Sequence, residues 1–135
     1  MTGRPLSERD YRTLAAFRKR LRQFLAFSEA AARDVGLTPN QHQLLLVIRG
    51  HPGHGKPSIS DAADALRLQL HSTTELVGRA VDDGLVVRQH DPTDARRILL
   101  GLTDKGDRKL AALSDLHRGE LQRFRAEISE LGHLD

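Results

Sequence analysis

The chain of 135 residues contains no cysteine and no tryptophan, and aromatic residues make up only 4% of it. Without cysteine there is no disulfide framework, no thiolate metal site and no thiol redox switch. So few aromatic residues argue against a surface on which the bases of single-stranded nucleic acid stack. No apolar run approaches the roughly 18 residues that cross a membrane, and the first residues lack the apolar stretch of a signal peptide. We therefore expect a cytoplasmic protein that has no membrane partner.

Motifs that carry catalysis are also missing. The sequence has no glycine-rich phosphate loop, no nucleophile elbow and no pair of helix histidines with a glutamate. Acidic neighbours such as Asp82 and Asp83 point away from each other on a helix, which does not suit a shared acid–base site. We predict neither an enzyme nor a bound cofactor, and the length favours one domain over residues 1–135.

Basic residues are in slight excess and are clustered. The net charge is +3 and the sequence pI is about 9.8. Clustering matters more than the sum when nucleic-acid binding is judged. One cluster lies on the hairpin predicted below, and the other, which a solvated helix face explains equally well, comprises Arg4, Arg9, Arg12, Arg18, Lys19, Arg20 and Arg22.

Two long helices are predicted at the two ends of the chain, over residues 7–36 and 104–131. In both segments apolar residues recur at spacings of three and four, which places them on one face of a helix. Each apolar stripe is broader than a small domain buries by itself. The stripes suggest packing against a second copy of the chain, with packing of the two helices on each other as the alternative.

The middle of the chain, residues 37–103, has the pattern of a helix-turn-helix. Thr38-Pro39 marks the start of one helix, and Ser58 or Ser60 caps a short second one. After a turn at Leu68, a further helix runs from Leu70 to Asp83. In such an arrangement the second of the two helices joined by the tight turn lies in the DNA major groove.

A two-stranded ribbon is predicted directly after this helix. The β-prone run 85–88 and the apolar run 98–102 flank a polar turn that carries Asp91, Pro92, Asp94, Arg96 and Arg97. A guanidinium group on a protruding hairpin suits entry into a DNA groove. The sequence therefore predicts a mainly α-helical fold with a small β wing, that is, a winged helix-turn-helix dimerised through its terminal helices.

Three motifs carry a resemblance to the MarR family of transcriptional regulators. Leu37-Thr38-Pro39-Asn40-Gln41 resembles the opening of that family's second helix, and Asp83-Gly84-Leu85-Val86 resembles the end of its recognition helix. Asp91-Pro92-x-Asp94-x-Arg96, followed by Leu102-Thr103-x-x-Gly106, is similar to its wing signature. The motifs fall in the family's order and spacing between about residues 14 and 127.

The resemblance implies a homodimer that represses or activates transcription. It would bind double-stranded DNA at a pseudo-palindrome whose half-sites lie roughly 34 Å apart. Many members of the family release DNA when a small, often aromatic, effector binds. Three residues depart from the family pattern, namely His42 in place of a bulky aromatic residue, Ala95 in place of arginine, and Gln69 in place of a serine or threonine cap. The family's last helix would only be starting at residues 131–135.

Helical geometry separates the two faces of the predicted recognition helix. Thr73, Leu76, Val77 and Ala80 should face the core. Gln69 could then bind adenine through two hydrogen bonds, and Ser72 or Thr74 could contact a base or phosphate, unless they are only solvated. Glu75 would repel phosphate unless it accepts a hydrogen bond from cytosine or pairs with Arg79. The predicted DNA-contacting residues of this helix are Gln69, His71, Ser72, Thr74 and Arg79.

On the wing, Arg96 is the strongest candidate because a narrow minor groove attracts arginine. Asp94 could hold the Arg96 side chain through a charge-assisted hydrogen bond. Arg88 and Arg97 are expected to contact phosphates.

Two alternatives to a ligand-responsive DNA-binding regulator remain open. One is a winged-helix module that binds another protein and no specific DNA. The other is a metal-sensing repressor that uses histidines, since His51 and His54 share a loop and His42 precedes it. The same His42 is expected to border an effector cavity among the first, second and fifth helices.

Overall fold

The structure, a computed structural model, describes residues 3–53 and 55–132. In this part of the chain the elements are α1 Glu8–Asp34, α2 Pro39–Arg49, α3 Ile59–Leu66, α4 Leu70–Asp82, β1 Val86–Asp91, β2 Asp94–Leu102 and α5 Asp104–Glu130. The predicted order of long helix, helix-turn-helix, hairpin and long helix is confirmed.

The first three helices begin with the same local arrangement. In each, an N-cap hydroxyl accepts a hydrogen bond from the backbone N–H three residues later, and the side chain of that later residue accepts one from the N-cap N–H. The pairs are Ser7 with Asp10, Thr38 with Gln41, and Ser58 with Asp61. Ser58, rather than Ser60, is thus the cap of α3.

The core lies where the helix-turn-helix meets α1, α5 and the base of the hairpin. Leu44, Leu45, Leu100 and Leu113 are fully buried in it. On α4, Thr73, Val77 and Ala80 are buried and Leu76 is partly buried, so the predicted core face of that helix is confirmed.

The wing is longer than predicted, and its turn is tighter. Only Pro92 and Thr93 separate the strands, so Asp94, Arg96 and Arg97 belong to β2 and not to the turn. The turn is tight because one carboxylate oxygen of Asp91 accepts hydrogen bonds from the Thr93 N–H and hydroxyl, at 2.8 and 2.7 Å. These bonds also hold the pKa of Asp91 below its usual range.

The hairpin carries a bulge just beyond its turn. Asp91 pairs with Asp94, whereas the preceding residue His90 pairs with Ile98, so the residues from Ala95 to 97 are extra on β2. His90 Nδ1 lies 2.7 Å from the Ala95 carbonyl oxygen and closes the bulge. A bulge redirects side chains, and here Arg96 and Arg97 both lie within it.

The terminal helices pack against each other within the chain. Arg20 of α1 donates to Glu120 of α5 at 2.7 Å, and the rings of Phe24 and Phe124 lie 5.3 Å apart. This contact holds the pKa of Glu120 below its usual range, chiefly through the Arg20 hydrogen bond. Large apolar side chains nevertheless stay exposed on α1 and α5 or next to them, namely Leu6, Tyr11, Leu14, Leu25, Leu116 and Leu121.

The start of α5 is fastened to the end of α4 by a close backbone contact. The Leu85 carbonyl accepts from the Thr103 N–H at 3.0 Å, and the Thr103 hydroxyl donates to the Gly84 carbonyl at 2.6 Å. Gly106 lies so close to Leu85 that a Cβ atom there would overlap the Leu85 carbonyl oxygen. The spacing Leu102-Thr103-x-x-Gly106 thus has a packing reason.

Candidate nucleic-acid interface

The N-terminal end of α4 presents Gln69 at its cap position. The Gln69 side chain makes no capping hydrogen bond, so its amide is not committed to the helix. Its backbone carbonyl accepts from the Thr73 hydroxyl at 2.9 Å. An exposed amide at the start of a recognition helix has the donor and acceptor that adenine requires.

The outward crest of α4 is formed by His71 and Glu75. His71 Nε2 lies 3.1 Å from a Glu75 carboxylate oxygen. Glu75 thus contacts His71, which lies one turn before it on the same crest, and among the described residues it forms no ion pair with Arg79, the partner considered from the sequence. Arg79 has no polar partner in the described part of the chain.

On one side of the crest a groove of about 340 Å³ separates α4 from the start of α2. Ser72 and Arg79 border it on α4, opposite Thr38 and Asn40. Gln41 at this end of α2 donates to Asp83 at 2.7 Å and fixes the distance between the two helices. The groove thus has the Arg79 cation and the Glu75 carboxylate on one wall and a helix N-terminus on the other. The cation and the helix N-terminus favour phosphate.

On the other side of the crest a larger groove of about 670 Å³ lies between α3, α4 and the wing. Thr74 borders it, but the Thr74 hydroxyl donates to the Leu70 carbonyl at 2.9 Å. The Thr74 hydroxyl, which the sequence analysis considered for a contact with a base or phosphate, is therefore already bonded to the helix backbone. Leu70 borders the same groove and is 55% exposed.

Arg96 projects from the wing at the edge of this larger groove. Its side chain is 93% exposed. One Asp94 carboxylate oxygen accepts from the Arg96 backbone N–H at 3.1 Å and from its Nε at 3.4 Å. The structure therefore places Asp94 beside Arg96, where it orients the base of the guanidinium and leaves the other nitrogens free.

Arg97 and Arg88 have different surroundings. Arg97 donates to Asp61 at 3.1 Å, which ties the wing to the first turn of α3. The pKa of Asp61 lies below its usual range, mainly because its carboxylate also accepts from the Ser58 backbone. Arg88 is exposed on β1 and has no polar partner in the described residues. Asp61 went unnoticed as a site residue, although its place in the Ser58 capping box was visible in the sequence.

A second candidate site is a cavity of about 410 Å³ among α1, α2 and α5, and His42 borders it. Its other walls are largely apolar and include Phe24, Leu25, Leu46 and Leu121. The cavity lies where the sequence prediction put an effector site.

The rings of His42 and His117 are in contact in the wall of this cavity, with centroids 4.8 Å apart and planes inclined by 56°. His117 Nδ1 faces the Leu113 carbonyl at 2.9 Å and must donate to it, so Nε2 accepts from the Ser28 hydroxyl at 2.8 Å. His42 is 3% exposed, and its buried Nδ1 has no hydrogen-bond partner among the described residues. Burial first, and the proximity of His117 second, lower the pKa of His42. The sequence did not predict His117 and Ser28 as site residues, because they are each other's partners and lie 89 residues apart in sequence.

The histidines considered for a metal site are His42, His51 and His54, and only the first two lie in the described residues. His42 is buried against His117, and His54 lies outside the described residues. Among the residues that the structure describes, no three His, Asp or Glu side chains are grouped so that they could hold a metal ion. None of the described helices is long and apolar enough to span a membrane.

Two short helices joined by a tight turn and followed by a β hairpin define a winged helix-turn-helix protein. A family profile described as "MarR family" matches residues 35–97 of the chain. A protein of Thauera aromatica, named provisionally as a transcriptional regulatory protein for the hcr operon, is 30% identical over 113 residues, which are 84% of this chain and 66% of that protein. The chain belongs to the MarR family.

Solved structures share the fold. The MarR-family regulator AbsC of Streptomyces coelicolor matches with a TM-score of 0.75 and 20% identity, over 90% of this chain and 82% of that one. The MepR protein of S. aureus in complex with DNA matches with a TM-score of 0.71 and 22% identity, over 82% and 80% of the two chains. The chain spans 66%, 54% and 59% of the lengths of the first three curated relatives that it matches.

Proposed function

We propose that this protein is a transcriptional regulator that binds a specific sequence of double-stranded DNA as a homodimer. The observation that carries the proposal is the face on which α4 and the wing meet. There the Gln69 amide is not used in capping, and Arg79, Arg88 and the outer nitrogens of Arg96 have no partner in the described chain. Exposed polar and cationic groups around a helix end and a hairpin match the base edges and phosphates of a duplex.

The position of each side chain determines which part of the duplex it contacts. With α4 in the major groove, Gln69, His71 and Ser72 reach base edges or the neighbouring phosphates. Arg96 enters the adjacent minor groove from the wing. Arg79 and Arg88 supply phosphate contacts, which raise affinity without selecting a sequence. Thr74 and Arg97, whose polar groups are already bonded within the chain, approach the DNA with those bonds in place.

A second copy of the chain would cover the apolar side chains that α1 and α5 leave exposed. Two-fold symmetry then places two recognition helices on one face of the duplex, about 34 Å apart. The Thauera relative is named for transcriptional regulation and the S. aureus structure contains DNA. Both names agree with this proposal.

We further propose that the protein is a repressor whose release from DNA is controlled by a small aromatic effector in the cavity beside His42. The cavity volume of about 410 Å³ is in the range that suits small molecules. Its apolar walls match an aromatic ring, and the histidine pair offers a polar contact. A cytoplasmic location stays a prediction from the sequence.

The test is fluorescence anisotropy with DNA from upstream of the protein's own gene, near physiological salt and with excess random competitor. A preference for that DNA over random DNA by at least about a thousandfold supports a sequence-specific regulator. Binding that disappears with competitor or salt reflects phosphate attraction alone. A randomised DNA pool is then the decisive substrate, and failure to select any sequence from it would favour a protein-binding module.

A further inference from the structure

Leu70 is unusually placed for a large apolar residue. It is the first residue of α4, and more than half of its surface is exposed at the end of the helix that faces DNA in the proposed function. Most of the other large exposed apolar side chains in the described residues lie on or beside the terminal helices, where a second copy would cover them, and Leu46 of α2 and Val87 of β1 are the exceptions. Leu70 lies far from that surface in the fold, on the wall of the groove between α3, α4 and the wing.

One turn further along α4, Thr74 extends the apolar character of this wall. Its hydroxyl is bonded to the Leu70 carbonyl at 2.9 Å, so its γ-methyl group is what remains to be offered to a ligand. Ile59 of α3 and Ile98 of β2 border the same groove and are partly buried. The groove therefore has an apolar wall and floor.

The rim of the same groove is charged. Arg96 and Arg97 of the wing border it. Asp61 and Asp94 border it as well and bond to these two arginines, which leaves the outer nitrogens of Arg96 as the unpaired charge of the rim. A fitting occupant presents an apolar group to α4 and a negative group to Arg96. Duplex DNA does so at thymine, because the C5-methyl group is the one apolar group that the four bases place in the major groove, and phosphates flank it.

We propose that Leu70, together with the γ-methyl group of Thr74, recognises a thymine in each half-site through its C5-methyl group. The inference rests on the proposed function, since it assumes that α4 enters the major groove of a specific site. It makes Leu70 a specificity-determining residue and assigns to Thr74 an apolar contact in place of a polar one. Gln69, next in sequence, would recognise the neighbouring base through hydrogen bonds.

The experiment replaces each thymine of the selected operator by deoxyuridine, one symmetric pair at a time. Uracil keeps every hydrogen-bonding group of thymine and lacks only the methyl group. We expect one symmetric pair of thymines whose replacement weakens binding about fourfold per half-site, which is the effect of one buried methyl-sized group. Leu70→Ala should show a smaller preference for the thymine operator than the parent, because only the γ-methyl group of Thr74 and the short alanine side chain remain near the thymine. Leu70→Met, which keeps a long apolar side chain, should retain most of the preference.

The outcomes separate the inference from the function on which it rests. Equal affinity of the unmodified protein for all thymine and uracil operators overturns the thymine contact and leaves specific DNA binding intact. An undiminished preference for thymine in Leu70→Ala also overturns it. If Leu70→Ala no longer binds the operator, Leu70→Val carries the test, with a reduced preference expected and an unchanged one refuting the contact. If the unmodified protein selects no DNA sequence, both the function and the inference fail.

Discussion

Replacing Gly106 by alanine tests the contact that joins the start of α5 to the end of α4. A Cβ atom at this position would lie 3.1 Å from the Leu85 carbonyl carbon and still closer to its oxygen, below the 3.0 Å that real Cβ atoms keep from their neighbours. The obstacle is backbone, which does not rotate away as a side chain does. The Leu85 carbonyl therefore has to move, although it accepts the Thr103 N–H.

The magnitude follows from three contributions. Overpacking of this kind costs about 1–3 kcal/mol, and weakening of the hydrogen bond from Thr103 adds about 1 kcal/mol. Because alanine is a better helix former than glycine, helix propensity offsets up to about 1 kcal/mol of this loss. We expect the free energy of unfolding to fall by about 2 kcal/mol, which lowers the melting temperature of a domain of this size by about 8 °C.

The matched control is Gly78→Ala, at a half-buried position in the middle of α4. A Cβ atom there meets no neighbour within 4 Å. Helix propensity alone should then raise the free energy of unfolding by about 0.5–1 kcal/mol. Urea unfolding followed by far-ultraviolet circular dichroism suits a chain without tryptophan. All variants are compared at one protomer concentration, because association shifts the midpoint. Gly106→Ala as stable as the parent would refute the close contact.

Three further perturbations have defined outcomes. Arg96→Ala should weaken specific DNA binding about tenfold or more, the usual effect of losing a hydrogen bond to a charged group, and anisotropy titrations that show unaltered affinity would count against the wing contact. Ser58→Ala should reduce the free energy of unfolding by about 1 kcal/mol through the lost cap, while Ser60→Ala, two residues later, should leave it unchanged. Equal losses in the two variants would contradict the assignment of Ser58 as the cap of α3. Because the pKa of His42 is lowered in the fold, its neutral form stabilises the protein above about pH 6.5, and this contribution is lost as the pH falls below that value. Urea midpoints at pH 7.5 and 5.5 should therefore differ less in His42→Phe than in the parent, and an equal difference would exclude His42 as the cause.

The features that the sequence predicted well depend on neighbouring residues. The helix caps follow from hydroxyl and acidic or amide residues three positions apart. The core face of α4 follows from its 3.6-residue period, which put Val77 and Ala80 inside. Such rules need no knowledge of the rest of the chain.

The features that the sequence did not predict depend on distant or competing partners. The hydrogen bonds of Arg97 with Asp61 and of His117 with Ser28 join residues that only the folded chain brings together. The bulge on β2 depends on how Asp91 closes the turn, a choice between several turns of similar stability. The contact of Glu75 with His71 was not predicted either, although both residues lie on one helix four positions apart.

The contact between Leu85 and the first turn of α5 couples the orientation of that helix to the end of α4. The cavity borders His117, thirteen residues beyond the start of α5, so about 20 Å of rigid helix separates the two points. No flexible loop lies at the junction to absorb a tilt, because Thr103 and Gly106 hold the helix directly against the residues that end α4. We therefore expect a displacement of α5 at the cavity to tilt α4, the helix that faces DNA in the proposed function.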